Sequence, residues 1–181
     1  MLEFIQNIDF IILDFIHNNL TSPLLDRIMT FITTLGNSGA IWIVITILML
    51  FSKKYKKTGI MMTIGLVLCL ITGNVILKPY VARLRPFQIA EGINLLIKTP
   101  HDFSFPSGHT YSSILSGTII FLQHRKEGIC TLILGILISF SRLYLYVHFP
   151  SDVFAGAILG VLTAIFSIKL TQYLFRNEKI S

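Results

Sequence analysis

The chain has 181 residues, of which 53% are hydrophobic and only 13% charged. A soluble domain carries about 25% charged residues, so this shortage, with a mean hydropathy of +0.73, excludes an ordinary water-soluble protein. It predicts an all-α, integral membrane helical bundle forming a single domain over 1–181. The formal net charge of +6 gives little support to a nucleic-acid partner, because no basic face lies free of the apolar runs. Charge in a membrane protein is instead sorted by side.

Residues 1–35 read as an N-terminal region distinct from a bundle over 36–175. Phe4, Ile5, Ile8, Ile11, Ile12, Phe15 and Ile16 recur at helical spacing, interrupted by Glu3, Asp9, Asp14 and His17. That pattern predicts an amphipathic helix suited to the membrane surface. Thr21-Ser22-Pro23 is a start signal for a second short helix over Leu24–Leu35. Five runs then predict spans: Gly36–Phe51, Thr58–Leu77, Ser107–Gln123, Ile129–Val147 and Val153–Leu174. Thr58–Leu77 is free of charge and long enough to cross about 30 Å of hydrocarbon. A sixth crossing within 1–35 stays open. Cys69 and Cys130 fall inside apolar runs and read as small buried hydrophobes.

Lys53, Lys54, Lys56 and Lys57 share one short loop, Arg125 and Lys126 another, and Arg176 and Lys179 close the chain. Five spans put all three groups on one side, which the positive-inside rule makes cytoplasmic. The Lys78–Phe105 loop, the turn at His148-Phe149-Pro150 and the N-terminal region then face outward from the cytoplasmic (inner) membrane.

Three polar clusters fall at those outward ends: Lys78 with Arg85-Pro86, Pro106-Ser107-Gly108-His109, and Ser141-Arg142 with His148 and Asp152. Ionisable residues are expensive in hydrocarbon and mark candidate sites. Pro106 and Ser107 suit a helix start whose unpaired N–H groups face an anion. Gly108 lets an oxygen approach the backbone, and His109 is placed to exchange a proton. An ordinary interfacial helix start explains these residues equally well. Asp152 lies four residues after His148. A carboxylate there fixes the ring tautomer and frees the other nitrogen as nucleophile. Taken alone, a capping aspartate beside an interfacial histidine is the stronger explanation. Lys78, Arg85 and Arg142 offer two guanidinium forks and a point charge to phosphate oxygens, and clustered cations stabilise phosphoryl transfer. Snorkelling is the alternative. It suits Arg83 and Lys98 but not Arg142, which lies inside an apolar run.

Other residues fit no cluster. His101-Asp102 lies beside the clusters, where a lid or headgroup role is one reading. Phe87, Phe103 and Phe105 suit a lipid path or an aromatic belt, and Trp42 and Tyr144 suit the belt. Gly156 and Gly160 form a small-xxx-small pair, read as close packing inside the bundle.

Together the clusters spell Lys-x6-Arg-Pro, Pro-Ser-Gly-His and Ser-Arg-x5-His-x3-Asp, in order over Lys78–Asp152. The chain thereby resembles the type 2 phosphatidic acid phosphatase family, which also includes bacterial acid phosphatases and vanadium haloperoxidases. The resemblance implies a lipid phosphatase that uses no metal or other cofactor. His148 would be the nucleophile, Asp152 its orienting carboxylate, and His109 the acid and then the base. Lys78, Arg85, Ser107, Gly108 and Arg142 would hold the phosphate of a lipid substrate. Short bacterial members that act on undecaprenyl diphosphate are similar in length and in Leu25-Asp26-Arg27-Ile28-Met29, although some carry Asp where this chain has Gly108. Undecaprenyl diphosphate is thus the expected substrate, ahead of phosphatidylglycerophosphate or phosphatidate. A non-hydrolytic phospholipid-binding transporter is the competing class, and an intact nucleophile, carboxylate and acid argue against it.

Overall fold

The computed structural model describes residues 2–176, so Lys179 lies outside the described residues. All regular structure among them is helical: α1 (Leu2–Leu20), α2 (Pro23–Leu35), α3 (Ala40–Phe51), α4 (Lys56–Cys69), α5 (Lys78–Val81), α6 (Pro86–Ile89), α7 (Gly108–Gln123), α8 (Arg125–Tyr144) and α9 (Pro150–Leu174). A π-helical stretch, Leu70–Leu77, joins α4 to α5 without a break. Ser22 caps α2 by accepting from Leu25 N at 3.3 Å. Pro23 and Pro150 each open a helix, where a missing N–H has no consequence.

Three helical segments are long and apolar enough to cross a membrane alone: the α4-to-α6 run, α8 and α9. Joined across a 43° bend, α2 and the stretch ending in α3 make a fourth. The expected Gly36–Phe51 span is therefore the second half of a bent pair, since α3 has only 12 residues. Helix α7, with 16 residues, is about 24 Å long at 1.5 Å per residue.

Helix α7 is the axis of the bundle. Tyr111, Leu115, Ile119 and Ile120 are buried on it, against Met61, Met62, Ala164 and Ile168. Its other buried positions are small or polar: Ser112, Ser113, Ser116 and Gly117. Such residues let helices approach closely, as association in lipid requires. On α9, Gly156 faces Ser107 O, and Gly160 faces Leu115 N and Tyr111 O, so closely that a Cβ would lie within 3.0 Å of backbone atoms. The small-xxx-small pair therefore packs on α7.

Helix α1 buries one acid among apolar residues and leaves large apolar side chains exposed. Asp9, Leu13 and Ile16 are buried, while Phe4, Ile11 and Phe15 are more than 60% exposed. Two aromatic residues expected in the belt are interior. Trp42 is fully buried and donates to Ser113 Oγ at 2.9 Å, and buried Tyr144 donates to Asp26 Oδ1 at 2.6 Å. Each ring brings a polar atom that must be satisfied inside, and each has a partner. Cys69 is buried as expected, whereas Cys130 is exposed on the outside of α8.

Candidate functional site

The C-terminal ends of α5 and α8 and the N-terminal ends of α7 and α9 meet at one end of the bundle, opposite the Lys53–Lys57 loop. Local backbone turns aim the side chains there. Residues 70, 74 and 78 all line one cavity. Helix α5 stops where Ala82 takes a left-handed conformation, φ 49°. The chain turns back there and brings Arg85 beside Lys78. Tyr146 is also left-handed, φ 57°, just before His148. For a bulky residue this backbone costs about 1–3 kcal/mol. Its ring is buried, and its hydroxyl donates to Asp14 Oδ1 at 2.6 Å, which holds the turn.

His148 is buried between two kinds of partner. Arg85 Nη1 lies 3.2 Å from its Nε2. Arginine has only donors, so Nε2 carries the lone pair and Nδ1 the proton. Nδ1 lies 3.4 Å from Ser104 Oγ and 3.7 Å from Asp152 Oδ2. Ser104 Oγ in turn donates to Asp152 Oδ2 at 2.5 Å. The carboxylate thus stands behind the ring partly through a serine, a relay that sequence spacing alone does not reveal. Burial, followed by the charges of Arg85, Arg142 and Lys78, holds the His148 imidazole well below the usual histidine range.

Asp152 is fully buried and well supplied with donors. Oδ2 also accepts from Phe149 N at 2.9 Å, and Oδ1 from Arg83 Nη1 at 2.6 Å. Arg83 corrects an expectation, because it is no surface anchor. Its Nη2 pairs with Asp9 Oδ2 at 2.8 Å, its Nη1 donates to Ser151 Oγ at 2.7 Å, and its guanidinium stacks 4.0 Å over the Phe149 ring. Asp9 also accepts from Ser151 N at 2.8 Å. One buried network therefore ties α1 to the start of α9.

The cations converge as expected. Lys78, Arg85 and Arg142 line a cavity of about 990 Å³ together with Gly108, His109 and His148. Arg142 is buried at 3% exposure and donates to Thr33 Oγ1 at 2.5 Å. Its Nε has no hydrogen-bond partner among the described residues. Lys78 and Arg85 both pair with Asp102, the latter at 2.7 Å. Burial raises the Asp102 carboxyl, but these two cations outweigh it and hold the group below the usual carboxylate range. His109 Nε2 lies 3.1 Å from Asn37 Oδ1. Ser107 is the N-cap of α7, yet its hydroxyl makes no cap bond; it is fully buried and accepts from Thr110 Oγ1 at 3.1 Å, outside the cavity lining.

From this polar end the same cavity runs between α3 and α4, past Ile43, Ile47, Leu66 and Val67, to Leu50 and Thr63. Phe87, Phe103 and Phe105 do not line it, and Lys98 does. Phe87 packs instead with the Tyr144 cluster. The arrangement can hold an anion at its polar end, present a neutral imidazole to it, and leave an attached apolar chain in the channel.

The family model of the PAP2 superfamily matches residues 57–176. The chain is 35% identical to an undecaprenyl-diphosphatase of Sulfolobus acidocaldarius, over 81% of this chain and 70% of that one. It is 32% identical to phosphatidylglycerophosphatase B of Bacillus subtilis, over 77% and 72%. Among solved structures, Aquifex aeolicus LpxE superposes with a TM-score of 0.72 at 32% identity, covering 88% of this chain and 94% of that one. The transmembrane PAP2-type phosphatidylglycerolphosphate phosphatase of Bacillus subtilis gives 0.73 at 27% identity, covering 96% and 89%.

Proposed function

The chain belongs to the PAP2 superfamily, and on that premise we propose that it removes the terminal phosphate of a prenyl diphosphate through a phosphohistidine on His148. It is a multi-pass membrane protein and a lipid phosphatase. The observation that carries the finer reading is the single cavity joining a lone-pair nitrogen and three cations to an apolar channel.

In this reading Lys78, Arg85 and Arg142 bind the phosphate oxygens, helped by the N–H groups of the first turn of α7 at Gly108. Ser107 supports that turn from behind. His148 Nε2 attacks phosphorus as the bond to the leaving oxygen breaks. Asp152, reached directly and through Ser104, stabilises the imidazolium that forms. Protonated His109 gives its proton to the leaving oxygen. It then accepts one from water, which attacks phosphorus and breaks the N–P bond. Cations crowd the polar end, so it repels a divalent ion, in keeping with a metal-independent reaction.

Undecaprenyl diphosphate is the first candidate. The Sulfolobus relative carries that activity in its name, and an apolar channel lined by two helices suits a prenyl chain. The phosphatidylglycerophosphatase relative favours a second reading, a glycerophospholipid monoester. The basic loops Lys53–Lys57 and Arg125–Lys126 lie at the opposite end, which supports an outward-facing site in the cytoplasmic membrane.

Purified protein in detergent with EDTA is expected to release phosphate fastest from undecaprenyl diphosphate, in a panel that includes phosphatidylglycerophosphate and phosphatidate. His148→Ala should keep its folded elution profile and lose turnover by at least about 10³-fold. Robust hydrolysis by that variant would reject the nucleophile. Preference for a monoester would reject the diphosphate reading.

A further inference from the structure

Two of the three cations offered to phosphate already share an anion. The Asp102 carboxylate bridges Lys78 Nζ and Arg85 Nη2, with one oxygen on each. The cations cannot leave: the Lys78 side chain is 9% exposed and that of Arg85 only 2%. Asp102 can, because its side chain is 51% exposed. Its main chain is held along the same Arg85 guanidinium edge, with Asp102 O accepting from Arg85 Nε at 2.8 Å and Phe103 O from Arg85 Nη2 at 3.4 Å, so these bonds can persist when the carboxylate lets go. Only the carboxylate need swing out to free the cations. Arg142 makes no bond to Asp102, and its buried Nε has no hydrogen-bond partner among the described residues.

We propose that Asp102 is a resident competitor for the phosphate site, occupying Lys78 and Arg85 between turnovers and yielding them to the arriving phosphate. Bare buried cations are costly, and the carboxylate offsets that cost in the substrate-free protein. Phosphate meets Arg142 first, then replaces the carboxylate on the other two. As phosphate departs, the carboxylate returns and substitutes its hydrogen bonds, which eases product release. Apparent phosphate affinity is the intrinsic affinity multiplied by the fraction of molecules with Asp102 displaced. The device therefore weakens binding of free phosphate and keeps the surrounding medium from saturating the site. This proposal rests on the cavity being a phosphate site.

The test compares wild type, Asp102→Asn and Asp102→Glu in detergent. Inorganic phosphate binding is read by calorimetry and by the rise in unfolding temperature, and phosphate inhibition is read during lipid hydrolysis. Asp102→Asn should bind phosphate about tenfold more tightly and show a larger thermal rise. Asp102→Glu, which restores a carboxylate, should return towards wild type. Asp102→Ser replaces the asparagine variant if that does not fold. Phosphate binding that is unchanged or weaker in the neutral variant measured would overturn the proposal, because the carboxylate would then only organise the cations. If wild type hydrolyses no lipid, the functional reading fails, while the binding measurements still decide the role of Asp102.

Discussion

His148 sits where its two nitrogens are told apart by their neighbours. Arg85 faces Nε2, and Ser104 and Asp152 face Nδ1. Around the ring, Arg85, Arg142 and Lys78 oppose its protonation and Asp102 favours it. With burial added, the balance keeps the imidazole neutral below its ordinary pKa of about 6.5. In the proposed reaction the neutral form attacks phosphorus, so kcat/KM should persist as pH falls through about 6.5 and decline only at lower pH. Arg83 tempers this balance from behind by sharing the Asp152 charge. Arg83→Gln should strengthen the pull of Asp152 on the ring proton and move the acid limb to higher pH. It should lower kcat about 10- to 100-fold through misplacement of the ring, with KM little changed because Arg83 does not line the cavity. Arg83→Lys should recover part of the loss. A raised KM with kcat intact and an unmoved limb would make Arg83 merely structural.

The three polar clusters that meet at the cavity were legible because each is local: Lys78 to Arg85, Pro106 to His109, Arg142 to Asp152. Arg83, Ser104, Asn37 and Asp9 were not. Their partners lie far away in the chain, and nothing in a local window distinguishes a snorkelling arginine from one that holds a buried carboxylate. The one available hint was Asp9 itself, an acid within an apolar run that needed a cation.

At the scale of elements, the apolar runs gave α8 and α9 to within a few residues at each end. The π-helical stretch escaped, because hydropathy carries no information on i→i+5 bonding. The bend between α2 and α3 was hidden too, since Gly36 to Gly39 looked like the start of a span. Helix α7 shows why the central helix is not the most apolar one: surrounded by protein, it needs small side chains for contact more than hydrocarbon for lipid. Gly160→Val tests this packing. A branched side chain built against Leu115 N and Tyr111 O should destabilise the bundle by about 1–3 kcal/mol or more, seen as a lower unfolding temperature in detergent. Phe154→Leu, at an exposed position of the same helix, should have little effect. An unchanged midpoint in Gly160→Val would mean that α7 and α9 can separate freely.

For the molecule as a whole, the proposed sidedness rests on charge sorting and is open to direct measurement. In a Cys130→Ser background, an impermeant maleimide applied to intact cells should label Glu91→Cys, near the site. It should label Lys53→Cys only after permeabilisation. The opposite pattern would turn the cavity toward the cytoplasm. The gathering of the clusters at one end was legible because it depends on the order of helix ends. The face that α1 turns inward, with Asp9 on it, was not, because periodicity tells which residues share a face but not which medium that face meets.

The Asp9–Arg83–Asp152 chain of ion pairs has a practical corollary for protein engineering. Trimming the first dozen residues, or crowding them with an affinity tag, removes or displaces a carboxylate that braces Arg83 and, through it, Asp152. Such a protein would still insert and elute normally yet turn over poorly. Purification handles therefore belong at the carboxyl end, and a weakly active preparation tagged at the amino end should be checked for this before the enzyme itself is judged slow.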